Sequence, residues 1–142
     1  MQPVEITNNI WIAERADAVG ADAVLAIASI ASSASNEVSR HVFEIPNTAE
    51  SDAEITPATL FAFSNTLRGY AGQRVLLTSD DEGAHRAAGM FVAHLMIENS
   101  WTRKQAMEFV VSKMLTLDLS DGFMNRLAAL ETSIQYGMLK VD

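Results

Sequence analysis

The run Val75 to Ala88, VLLTSDDEGAHRAA, sets a β-favouring segment, a short loop and the start of a helix one after another. Such a junction gathers unpaired backbone N–H groups at a helix N-terminus, where the helix dipole also favours negative charge, so its natural chemistry is anion binding. Gly83 lets the loop turn tightly. Arg86, on the first helical turn, can return toward the loop and offer its planar fork to a phosphate. Ser79, Asp80, Asp81, Glu82, Gly83, Ala84, His85 and Arg86 are therefore the candidate binding residues. The chain contains no cysteine, which excludes any activity that depends on a thiolate.

Each of these residues also has a plainer reading. Asp80, Asp81 and Glu82 suit a solvated acidic turn whose charges complement the helix dipole. Adjacent carboxylates on one turn rarely converge on one divalent cation, so no metal site is assigned. His85 reads as an exposed helix residue rather than a catalytic base, and His41 and His94 show no ligand spacing. Arg86 has the alternative of an ion pair with Asp80 or Glu82 that only stiffens the loop. Ser79 has no triad order around it. Most of the seven methionines fall on apolar helix faces, where methionine fills cores.

The elements that must carry the loop are legible from periodicity. Ile10-Trp11-Ile12 follows the turn-like Thr7-Asn8-Asn9 and reads as a short strand. Ala23 to Ile30 is apolar nearly throughout, as suits a strand covered on both faces, and His41 to Pro46 alternates until proline stops it. Between the first two strands, Ala13 to Asp22 reads as a short helix ending near Gly20. Thr56 and Pro57 form a helix start, with Leu60, Phe61, Phe63, Leu67 and Tyr70 at helical spacing and Gly72 as the stop. After the strand Val75 to Thr78, a helix over Ala84 to Glu98 carries Met90, Phe91, Leu95 and Met96 as a buried stripe. Thr102 and Gln105 make a capping box for a helix through Lys113. A last helix from Gly122 to Leu139 presents Phe123, Leu127, Leu130 and Ile134. Residues 31–40 and 47–54, rich in small polar and charged residues, read as surface loops.

Strands alternating with helices imply an α/β fold: one central, mostly parallel sheet of about four to five strands flanked by helices. With 142 residues, no repeat and no linker, one domain over 1–142 is expected, able to bury roughly 68% of the surface that its unfolded chain exposes. Apolar content of 49% and charged content of 20% match a folded globular chain. A formal charge of −8 without a basic stripe argues against a nucleic-acid partner. No stretch resembles a secretory signal or a membrane span, so a soluble, cytoplasmic protein without a membrane partner is expected.

From Ser79 to Arg86 the chain resembles the dual-specificity and tyrosine phosphatase family, whose signature is His-Cys, five residues and Arg, with glycine midway. The likeness puts Ser79 at the family's histidine, Asp80 at its nucleophilic cysteine, and Gly83 and Arg86 in register. It extends to ITNNIWIA as the first strand, HVFEIPNTAESD as the approach to the general-acid loop, and AAGMFVAHLMIENSWTRKQAMEFVVSKM as the helical pair after the signature. Phe123, Leu127 and Glu131 fit the last helix. The resemblance implies a phosphotyrosine-phosphatase-like fold.

The chain departs from the family where the chemistry lies. Asn47, Thr48 and Ala49 follow Ile45-Pro46 in place of the general acid, so only Glu50 or Asp52, on a longer loop, remains for that role. The hydroxyl residue expected after the signature arginine is Ala87. An aspartate at position 80 would accept hydrogen bonds from the loop amides and fill the cradle as an internal anion. Its repulsion of each phosphate charge is roughly 4 kcal/mol at ~4 Å for an effective dielectric of ~20, against about 1.5–3 kcal/mol for a charge-assisted hydrogen bond. The resemblance thus implies a pseudophosphatase: catalytically inactive, without cofactor, binding or scaffolding a protein or phosphoprotein partner. Two alternatives stay open: a divergent phosphoester hydrolase using Asp80 as nucleophile with Arg86, and a purely structural or assembly domain. Oligomeric state is not encoded in any motif.

Overall fold

A computed structural model describes residues 4–7, 9–14, 23–28, 39–44, 56–70, 75–79, 85–114 and 116–136. Among them, strands β1 (Val4–Thr7), β2 (Ile10–Glu14), β3 (Ala23–Ala28), β4 (Ser39–Glu44) and β5 (Val75–Ser79) form one sheet in the order β1-β2-β5-β3-β4. Helices α1 (Pro57–Gly69), α2 (His85–Asn99), α3 (Arg103–Met114) and α4 (Asp121–Gln135) complete the described elements. The α/β architecture agrees with the sequence reading.

The expectation of a mostly parallel sheet is corrected at one edge. β2, β5, β3 and β4 pair in parallel, whereas β1 runs antiparallel to β2, with Val4 opposite Ile12, so the sheet is mixed. The turn between β1 and β2 contains Asn9 at φ 70°, a left-handed conformation that asparagine tolerates better than most residues. The Asn9 carbonyl accepts a hydrogen bond from the Val75 N–H at 2.8 Å, which ties this hairpin to the start of β5.

Other boundaries shift modestly. β4 begins at Ser39 rather than His41, so Ser39 and Arg40 belong to a strand and not to a loop. Ala13 and Glu14 extend β2, and the rest of the short helix expected before Gly20 lies outside the described residues. Gly72, the remainder of the two surface loops and residues 137–142 lie outside them too.

Helix starts follow their capping residues. Thr56 Oγ1 accepts the Thr59 N–H at 3.2 Å with Pro57 at the first helical position, and α1 ends at Gly69. Thr102 and Gln105 form the reciprocal capping box: the Thr102 N–H donates to Gln105 Oε1 at 3.0 Å, and the Gln105 N–H donates to Thr102 Oγ1 at 3.1 Å. Ser120 Oγ caps α4 through the Phe123 N–H at 3.1 Å.

A single stripe does not describe α2. Arg86 through Ala93, with Leu95 and Met96, are all buried, because α2 lies against β5, α1, α3 and α4 at once. Its small residues Ala87, Ala88 and Gly89 make room for those neighbours. The core around it contains Ile6, Ile12, Phe63, Leu77, Phe91 and Phe123, each at most 1% exposed.

Candidate functional site

β5 runs through the interior of the sheet between two parallel neighbours, and its last residue, Ser79, is in register with Glu14 of β2 and Ile27 of β3. The candidate loop therefore leaves the sheet at the carboxyl ends of three parallel strands, the edge at which open α/β sheets place their ligands. β4 ends at the same edge with Glu44, in register with Ala28, so the chain toward Glu50 and Asp52 also departs there. Asp80, Asp81, Glu82, Gly83 and Ala84, together with Glu50 and Asp52, lie outside the described residues.

What the structure does place is the frame of the loop. Ser79 closes β5, and His85 opens α2, a helix of 15 residues. Arg86 follows in the first turn of α2 with only 6% of its surface exposed, an unusual depth for a guanidinium. Directly before the loop, Thr78 is 2% exposed, and its Oγ1 is buried without a hydrogen-bond partner among the described residues. Polar groups therefore stand buried on both flanks of the loop, a situation that natural folds reserve for satisfied networks or sites.

His85 differs from its expected role as an exposed helix residue. It is half-buried, and its Nδ1 accepts the Asp118 N–H at 3.1 Å. That bond ties the backbone at Asp118, in the segment before α4, to the start of α2. His85 thus acts as a fastener beside the loop.

Gly89 completes the frame and escaped the sequence reading. A Cβ built there would stand 2.8 Å from the Phe123 ring and 2.9 Å from Leu119 Cδ2, so the absence of a side chain lets α4 and the segment before it close onto α2. The only signal available in the sequence was the small-residue run Ala87-Ala88-Gly89 directly after Arg86. Thr78 was equally hidden, since a threonine in a strand carries no mark of how deeply its hydroxyl is buried.

His94, read as isolated, is paired: its Nδ1 lies 2.8 Å from Ser64 Oγ across the α1–α2 contact. Among the described residues no group of three His, Asp or Glu side chains stands close enough to hold a metal ion, and no described helix is long and apolar enough to cross a membrane.

No family model and no curated protein matches the sequence. Solved structures do. The fold is similar to human DUSP28, at a TM-score of 0.74 and 17% identity over 94% of this chain and 95% of that one. It is also similar to a leucine-rich-repeat and phosphatase-domain protein from Entamoeba histolytica, at a TM-score of 0.73 and 16% identity over 97% and 96% of the two chains. PTPMT1 in complex with PI(5)P matches at 0.75 and 16% identity over 94% and 97%. The chain has the fold of the dual-specificity phosphatases.

Proposed function

We propose that this chain, with a dual-specificity-phosphatase fold and no cysteine, is a catalytically inactive member of that fold that serves as a protein- or phosphoprotein-binding module. The observation that carries the reading is the conjunction itself: a fold whose signature loop uses a thiolate, in a sequence with no sulfhydryl to supply one. The interval between Ser79 at the end of β5 and Arg86 in the first turn of α2 is consistent with a signature loop in which Asp80 takes the nucleophile's place.

In this reading one domain spans 1–142, and residues 79–86 form a cradle occupied by its own carboxylate. Arg86 and the loop amides satisfy Asp80 instead of a substrate phosphate, and Asp81 and Glu82 add repulsion at the mouth. The cradle needs no cofactor or metal. A formal charge of −8 disfavours nucleic acid and anionic lipid surfaces, which fits a cytoplasmic protein whose partners are other proteins.

Purified protein assayed with an aryl phosphate is expected to show no turnover above buffer, and vanadate is expected to leave its thermal midpoint unchanged. Hydrolysis above background that disappears in Asp80→Ala would overturn the reading and favour an aspartyl-phosphate hydrolase. Stabilisation by vanadate would show that the cradle is open to external oxyanions.

A further inference from the structure

The geometry points to a docking groove between α3 and α4, remote in sequence from residues 79–86, that takes an acidic amphipathic helix of a partner protein. α3 packs mainly on α2 and β1 and meets α4 over a short stretch, which leaves an open groove of about 530 Å³ between the two helices. Its apolar lining is Met107, Val111 and Met124, and Val111 is one of two large apolar side chains classed as exposed among the described residues. Methionine side chains adapt to differently shaped anchors and are over-used at such surfaces. Both walls are helices and offer no unpaired strand edge, so the occupant that fits is a helix laid into the groove.

Charge selects the kind of helix. Arg103, Lys104 and Lys113 against the single Glu108 give α3 a net positive charge, inside a chain whose formal charge is −8. Arg103, Lys104, Glu108 and Ser112 make up the polar lining of the groove, two cations against one carboxylate. Arg103 is held there, its Nη1 donating to the Met124 carbonyl at 3.3 Å and its backbone N–H to Glu131 Oε1. An acidic partner is repelled by the molecule as a whole and attracted at this face, so the field itself orients the encounter. A second copy meeting this face two-fold would set its own Arg103 and Lys104 against these, like charge against like, and is disfavoured.

This inference deepens the binding reading and rests on it, yet the two fail separately. Hydrolysis by the wild-type protein would remove the inactive cradle and leave groove binding to be measured, while an empty groove leaves the cradle untouched. The probe is a labelled amphipathic peptide of about 16 residues, long enough to hold a helix, with a leucine stripe and glutamates on the other face. Its counterpart carries lysine for each glutamate.

With the full chain, the acidic peptide is expected to bind and to shift the amide resonances of Lys104, Met107, Val111 and Met124. The lysine peptide is expected to bind roughly tenfold more weakly, Lys104→Glu to weaken the acidic peptide roughly fivefold, and Val111→Glu to weaken it roughly tenfold. Both positions are exposed, and unchanged circular dichroism and thermal midpoints certify the folded variants. No binding, resonance shifts confined to other faces, equal affinity for the two peptides, or insensitivity to both substitutions would each overturn the assignment. So would a concentration-dependent dimer that Val111→Glu abolishes.

Discussion

Ser64 Oγ and His94 Nδ1 lie 2.8 Å apart and join α1 to α2 through a polar bond set among apolar side chains. Ser64 is fully buried, and the Phe91 ring centroid stands 5.6 Å from that of His94. Burial lowers the His94 pKa from 6.5 to about 4; Glu98 opposes the shift, and Arg68, which is ion-paired with Glu98, adds to it.

The sign of the resulting pH dependence follows from proton uptake. Between the unfolded value of 6.5 and the folded value of about 4, the unfolded chain binds a proton that the folded chain resists. The contribution of neutral His94 is complete above about pH 6.5 and is lost as the pH falls toward about 4, a loss of roughly 2–3 kcal/mol. Urea denaturation across that window should show this loss in the wild type and a shallower slope in His94→Gln. Parallel slopes for the two proteins would refute it.

Gly89→Ala sets two effects against each other. Alanine raises helix propensity by about 1 kcal/mol, but its Cβ would meet a fully buried Phe123 ring at 2.8 Å. Overpacking typically costs about 1–3 kcal/mol, and with a ring that has nowhere to move the variant is expected to lose about 1–2 kcal/mol net. Denaturant midpoints measure this. Phe123→Leu in the Gly89→Ala background should cost less than it does in the wild type, since it relieves the contact.

The capping residues yield a third expectation. Thr102→Ala and Ser120→Ala each remove the acceptor of a backbone N–H, from Gln105 and Phe123 respectively, and each should lower stability by about 1 kcal/mol. Because the caps belong to different helices and use different partners, the double variant should lose close to the sum. Thermal unfolding that leaves either single variant unchanged would show that its cap is not needed.

Asp80→Asn tests the self-filled cradle directly. Removing one carboxylate charge, whose repulsion of phosphate is roughly 4 kcal/mol per unit charge, should tighten phosphate or vanadate binding at least roughly tenfold. A vanadate-dependent thermal shift is expected in the variant and not in the wild type. Identical responses would separate Asp80 from the anion path.

Where local chemistry decides an element, the sequence was readable. Thr56 with Pro57, and Thr102 with Gln105, announce helix starts that the structure reproduces, because caps are satisfied within a few residues. β1 was missed although the turn after it was recognised: four residues at an edge give too short an alternation to stand out. The all-round burial of α2 depends on four neighbours brought together by the fold, and the run Ala87-Ala88-Gly89 does not reveal which of them would press against it. The same holds for His85, whose partner is the backbone of Asp118, 33 positions away. At the candidate loop, residue identity suggested an anion cradle, but the depth of Arg86 and the buried hydroxyl of Thr78 became visible only in three dimensions.

The placement of β5 between β2 and β3 governs how the molecule can assemble as it is made. Two early strands must hold a vacant berth until the middle of the chain has left the ribosome, and Ile10 cannot meet Val75 before then. Sheet closure is consequently a late, long-range event, slow by the standards of local folding and exposed to sticking with other nascent chains in the meantime.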